Sequence, residues 1–166
     1  MTIYQQIADT IAAANNIVIT AHKSPDGDSV GSSIGLYRFI QNLQKNVSIC
    51  HPDKAPSFLN WLEDLDDILV FEEQPEAVKQ KVQDADLLIC LDYNHFSRVG
   101  EGMQQVLESY TGTIILIDHH LHPAPITKLM LSNTDVCSTC QLVYEMIRQS
   151  DKANLLDAHI ATPLYL

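Results

Sequence analysis

The sequence predicts an α/β domain in three layers, a parallel sheet of about five strands with helices packed on both faces. Three observations carry that expectation. Short runs of aliphatic and β-branched residues recur at 17–21, 47–50, 87–91 and 114–117. These runs lack polar alternation, as strands buried on both faces do. Between most of them lie segments with apolar residues at helical spacing, the alternation that builds parallel sheets.

The elements follow in order. Over 2–14, Ile3, Ile7 and Ile11 mark one face of a helix, which Asn15-Asn16 closes. Strand 17–21 ends at His22. A turn follows, Lys23-Ser24-Pro25-Asp26-Gly27-Asp28, in which Pro25 fixes a dihedral and Gly27 permits a tight bend. Val30, Ile34, Tyr37, Ile40 and Leu43 line a helix over 29–43, and 47–50 is the next strand. Residues 51–75 read as a loop with a short helix at 58–62 and a short strand at 68–71. A helix at 76–82 precedes strand 87–91, which ends at Asp92. Strand 114–117 ends at Asp118-His119-His120, and 127–131 reads as an edge strand. The last helices are 136–148, started by Ser138 or Thr139, and one beginning near Lys152. The acids at 64–67 read as a solvated turn, Trp61 as a core or interface anchor, and His51, His95 and His159 as surface or packing residues.

A length of 166 residues suits one domain, and 46% hydrophobic with 19% charged residues excludes a disordered chain. No apolar run is long enough to span a membrane, and the first residues carry no signal-peptide pattern, so a cytoplasmic location is expected. Cys50 and Cys90 sit in apolar runs as small hydrophobes. Cys137 and Cys140 have C-x-x-C spacing but no second pair to complete a zinc site. The net charge of −11 argues against binding duplex nucleic acid, yet admits a small phosphorylated substrate if cations neutralise a local acidic cluster.

Three strands end in ligand-type residues: His22 with Asp26 and Asp28, Asp92, and Asp118-His119-His120. The carboxyl ends of parallel strands share one edge, where ligands bind, so these residues should converge. Four carboxylates brought close together need a counter-charge. A mixed Asp/His set suits Mn²⁺, or Mg²⁺, Fe²⁺ or Co²⁺, better than a thiolate-seeking ion. Two such ions, bridged by a carboxylate, are the usual machinery of phosphoester hydrolysis.

These residues resemble the DHH phosphoesterase family, whose Asp-His-His stands here at 118–120. The resemblance extends over HKSPDGDSVGSS (22–33), LDYNHFSRVG (91–100), IDHH (117–120) and STCQLVYEMI (138–147). Within the family the chain looks most like the bifunctional oligoribonuclease and 3′-phosphoadenosine-5′-phosphate (pAp) phosphatase group, often labelled exopolyphosphatase-related. The resemblance implies two divalent cations, Mn²⁺ foremost. His22 and Asp26 would hold the first, Asp28 and His119 the second, and Asp92 would bridge both. His120 would lie against the scissile phosphate, Asp118 would orient the histidines, and Arg98 would contact a substrate phosphate. Gly27 and Gly31 would let the backbone pass close to the metals and the helix pack close to the sheet.

The implied activity is hydrolysis of short oligonucleotides or pAp by a metal-activated water. The implied partners are such nucleotides and a second copy in a homodimer, with no duplex and no membrane. The alternatives are a pyrophosphatase or exopolyphosphatase on the same site, and a non-catalytic nucleotide- or metal-sensing module. The chain departs from the family at its end. Residues 1–166 are expected to be the metal-binding domain cut short before a further metal-binding Asp in a D-T-G-like motif, without the C-terminal substrate domain. The second ion is therefore expected to bind weakly.

Overall fold

Six parallel strands form one sheet in the computed structural model, which describes every residue from Met1 to Leu166. They are β1 (Asn16–Thr20), β2 (Asn46–His51), β3 (Leu69–Val70), β4 (Leu87–Leu91), β5 (Thr113–Asp118) and β6 (Leu129–Ser132). Their order is β3-β2-β1-β4-β5-β6. The chain builds outward from β1 to one edge, returns to lay β4 beside β1, and then builds the other way. The direction reverses between β1 and β4, where Thr20 pairs with Cys90. In open α/β sheets this switch point leaves a crevice at the carboxyl ends of the two strands.

The helices are α1 (Ile3–Ala13), α2 (Gly27–Asn42), α3 (Pro75–Asp84), α4 (Glu101–Glu108), α5 (Thr139–Gln149) and α6 (Ala158–Leu164). Successive strand residues point to opposite faces. Ile17, Ile19, Leu87, Ile89 and Leu91 join α1, α2, α5 and α6 in a core of 25 buried residues. Val18, Leu88, Cys90 and Leu116 face the other way, onto α3 and α4, in a core of 12. Burial on both sides explains why the strands read as continuous apolar runs.

All six segments with strand character in the sequence enter the sheet, including the two-residue β3 and the edge strand β6. Several local expectations are corrected. Helix α4 had no counterpart in the sequence reading; it is amphipathic but short, burying Met103 and Leu107. The last helix begins at Ala158, where Asp157 accepts from the Ile160 N–H, and Ala153–Leu155 is a separate 3₁₀ turn. The expected helix at 58–62 is the 3₁₀ turn Ser57–Leu59. Trp61 is 60% exposed and takes no part in the core.

The acids at 64–67 are only partly solvated. Asp64 accepts from Nε of buried Arg38 at 2.7 Å, and Arg38 also donates to the carbonyls of Glu63 and His159, tying α2 to α6. Gly31 faces α6 rather than the sheet. A Cβ there would run into the Pro163 carbonyl and the Cys140 sulfur, so the missing side chain lets α6 and α5 close on α2.

Candidate metal centre

His22 follows β1 and Asp92 follows β4, so the switch point itself positions the first two ligand-type residues. Asp118 ends β5 one strand further on and carries His119 and His120 beyond the sheet edge. Helix α2 starts in the same crevice. Asp26 is its N-cap: its carboxylate accepts from the Ser29 N–H at 3.0 Å while Ser29 Oγ accepts from the Asp26 N–H at 3.0 Å. Asp28 sits in the first turn. Both acids gain from the positive end of the helix dipole, which lowers the cost of gathering negative charge there.

Asp92 lies at the middle of the cluster, 2% exposed. Its φ of +62° is in the left-handed region, which Asp tolerates better than most residues. Such a conformation costs about 1–3 kcal/mol. The five residues of β4 before it are all buried. Each fully buried Leu or Ile contributes about 1.5–3 kcal/mol, so strand burial can hold the turn in place.

The two carboxylate oxygens of Asp92 face different partners. Oδ2 is 3.4 Å from His22 Nε2, which is 3.8 Å from Asp26 Oδ1. Oδ1 is 3.6 Å from His119 Nε2, which is 3.5 Å from Asp28 Oδ2. Two donors held by one ion at about 2.0–2.2 Å lie about 3.0–3.5 Å apart. The observed spacings are at or slightly above that range, so both groups fit a cation with little movement. The donors are carboxylate oxygens and imidazole nitrogens, without a thiolate, which suits a hard or borderline divalent ion.

The histidines are oriented by their other nitrogens. His22 Nδ1 donates to the Lys23 carbonyl at 2.8 Å, so Nε2 is the atom offered to the cluster. The Asp92 carboxylate facing it, against an opposing effect of burial, raises His22 to about 8. Burial is the main cause that pushes Asp92 above the usual carboxylate range, and the charge of Asp28 adds to it, while His22 works in the opposite direction. His120 Nδ1 donates to Asp118 Oδ1 at 2.7 Å, and the His120 N–H donates to Asp118 Oδ2 at 3.1 Å. Asp118 is fully buried, and this grip leaves His120 Nε2 free. His119 makes no hydrogen bond of its own; its ring lies 4.7 Å from that of His120.

The crevice thus brings together His22, Asp26, Asp28, Asp92, Asp118, His119 and His120. Arg98 lies outside the cluster, exposed on the 3₁₀ turn Phe96–Val99, and its side chain makes no ion pair. His95 caps that turn by accepting from the Ser97 N–H. The sequence reading missed a further contributor. Helix α5 points its N-terminus into the cluster, where Thr139 and Cys140 donate their N–H groups to Asp28 at 2.8 Å each, and Thr139 Oγ1 donates to Asp92 at 3.0 Å. Ser138-Thr139 signalled a helix start in the sequence, but contacts to residues 47 and 111 positions away are tertiary.

Four similarities to known proteins bear on this arrangement. The description "DHH family, N-terminal domain" matches residues 16–166. The crystal structure of an exopolyphosphatase-related protein from Bacteroides fragilis superposes with a TM-score of 0.94 at 32% identity, covering 98% of this chain and 48% of that one. The bifunctional oligoribonuclease and PAP phosphatase NrnA of Thermus thermophilus is 31% identical over 164 residues, 95% of this chain and 44% of the relative. The cyclic-di-AMP phosphodiesterase GdpP of Bacillus subtilis is 26% identical over 168 residues, 95% of this chain and 25% of the relative. The chain therefore spans less than half the length of these relatives. No helix is long and apolar enough to cross a membrane.

Proposed function

The chain belongs to the DHH family, and from that premise we propose that residues 1–166 form the metal-holding part of a phosphoesterase. The proposed substrates are short oligonucleotides, taken from an end, and pAp, the substrate classes named for the Thermus thermophilus relative. The division of Asp92 between two ligand groups carries the reading, with Oδ2 toward His22 and Oδ1 toward His119. On this reading His22, Asp26 and Asp92 would hold one divalent cation, and Asp28, His119 and Asp92 would hold a second, with Mn²⁺ the proposed ion. Bound ions of this kind activate water for attack on phosphorus and neutralise the non-bridging oxygens.

The remaining work belongs to the chain's own residues. Because Asp118 accepts the hydrogen bond from Nδ1, the His120 ring is held with Nε2 turned to the crevice, and Nε2 is the atom proposed to face a phosphate oxygen of the substrate. Asp118 is the orienting group, buried and held rigidly at the end of β5. Arg98 is exposed and unpaired, and is the proposed contact for a second substrate phosphate. Hydrolysis breaks one P–O ester bond while the oxygen of water forms the new one, so no covalent enzyme intermediate is needed. Small substrates also accord with a net charge of −11, which disfavours long polyanions.

The test is release of phosphate from pAp, and of mononucleotide from a short oligoribonucleotide, with and without Mn²⁺. Mn²⁺-dependent hydrolysis that is lost in Asp92→Ala is the expected result. Equal rates in Asp92→Ala would contradict the reading. A second reading, exopolyphosphatase or pyrophosphatase, is favoured by the description of the Bacteroides fragilis neighbour, and faster turnover of polyphosphate than of either nucleotide would select it. Binding of Mn²⁺ and nucleotide without turnover would point to a sensing module.

A further inference from the structure

We infer that Thr139 is a positioning residue that sets the distance between Asp28 and Asp92, and through it the geometry in which one cation is held between them. The inference rests on the metal reading above and extends it to a residue outside the strand-end motifs.

Thr139 is fully buried, and it contacts the two acids with two different donors. Its backbone N–H reaches Asp28 Oδ2 at 2.8 Å, and its hydroxyl reaches Asp92 Oδ1 at 3.0 Å. The same two oxygens face His119 Nε2, at 3.5 and 3.6 Å. A carboxylate oxygen has two lone pairs, so each can accept from Thr139 and still offer one toward His119. Both donors belong to one residue whose χ1 is stiffened by β-branching, so the link between the acids has little freedom. The buried Asp92 and half-buried Asp28 carboxylates otherwise repel, and the hydroxyl and N–H offset part of that repulsion by donating to the charged forms.

Two features separate this role from helix stability alone. Ser138, not Thr139, is the N-cap of α5, accepting from the Gln141 N–H at 3.1 Å. The helix start therefore survives loss of the Thr139 hydroxyl. The backbone N–H to Asp28 is kept in any substitution other than proline, so the hydroxyl contact to Asp92 can be removed by itself.

The experiment is Mn²⁺ titration of the full chain, followed by the electron paramagnetic resonance signal of free Mn²⁺, on wild type and five variants. Thr139→Val keeps the shape and removes the hydroxyl. Thr139→Ala removes it without adding an apolar methyl beside Asp92, and Thr139→Ser retains it. Ser138→Ala weakens the same helix end without touching either acid, and Asp92→Ala reports on the metal reading itself. Loss of an outer contact to a ligand typically weakens metal binding by about 10–100-fold. A fall of about that size is expected in Thr139→Val and Thr139→Ala, with Thr139→Ser and Ser138→Ala close to wild type. Wild-type affinity in Thr139→Val and Thr139→Ala alongside lost binding in Asp92→Ala would overturn the inference and leave the metal reading standing. An equal fall in Ser138→Ala would overturn it in favour of the helix end. Unchanged binding in Asp92→Ala would overturn the metal reading, and this inference with it.

Discussion

The two halves of the cluster, divided by Asp92, are held in opposite ways. In the half around His22 the histidine is fixed: its side chain is 9% exposed and its Nδ1 is tied to the Lys23 carbonyl. The acid of that half, Asp26, is open, with its side chain 63% exposed. In the half around His119 the acid is fixed, because Asp28 accepts two N–H groups from α5. Its histidine is the open member, 25% exposed and without a hydrogen bond. Each half thus pairs a firmly held side chain with a less firmly held one, Asp26 keeping only its cap bond from the Ser29 N–H and His119 none, on either side of the buried Asp92 carboxylate. Such a cluster would be preorganised in spacing by its held members, while the freer ones could make the small movement that closing on an ion would need.

The comparison predicts which acid the fold needs. Asp28→Ala should destabilise the protein by about 3 kcal/mol without metal, since two hydrogen bonds to a charged acceptor are lost at a helix N-terminus. Asp26→Ala should cost about 1 kcal/mol, the usual loss of an N-cap. Urea unfolding of the two variants checks the order, and equal losses would break the contrast between the halves.

A smaller effect is expected one turn along α2. Gly31→Ala should destabilise by about 2 kcal/mol, because the new methyl meets the Pro163 carbonyl and the Cys140 sulfur and there is little room to yield. The strain falls on α5 and α6, so Mn²⁺ affinity at the Asp28 half should drop while the His22 half keeps its own. Variants of each histidine in the Gly31→Ala background would show which half has weakened. A uniform loss would mean that α5 does not act on one half selectively.

The pH response should come mainly from the His22 half and the residue behind it. His51, at the end of β2, is fully buried; its Nε2 donates to Ser33 Oγ and its Nδ1 has no partner. Burial, with a contribution from the charge of His22, lowers it from 6.5 to about 3. Below the free value the unfolded chain takes up a proton that the folded chain does not. The associated stability is therefore complete above pH 6.5 and is lost as pH falls toward 3. Between pH 7 and 5.5 the loss should be about 1.4 kcal/mol. His22 runs the other way, its folded value being raised to about 8, so its contribution is complete below 6.5 and is lost as pH rises through about 8. Denaturant unfolding of His51→Leu at pH 7 and 5.5 should show a shallower acid loss than wild type, and the same slope would contradict the assignment.

The sequence made the sheet legible because its strands are buried on both faces and end in residues that cannot be core filler, as Leu91-Asp92 and Ile117-Asp118 show. It hid α4 because eight residues with two buried side chains carry little periodic signal. It placed the last helix too early because nothing local shows that Asp157, rather than Lys152, caps it. His22, Asp26, Asp28, Asp92 and the 118–120 triplet were legible as a cluster from strand topology alone. Thr139 was not, because its hydroxyl reads as an ordinary helix-start residue until α5 is packed against α2. Arg38 and Gly31 belong to the same class, since the arginine's partner and the glycine's neighbour both come from tertiary packing.

The central claim is that Asp92 is shared by two cations, and calorimetric titration of Mn²⁺ into wild type and Asp92→Ala tests it most directly. The account predicts saturable binding in wild type and loss of binding at both halves in the variant. A variant that keeps wild-type affinity at either half would contradict it.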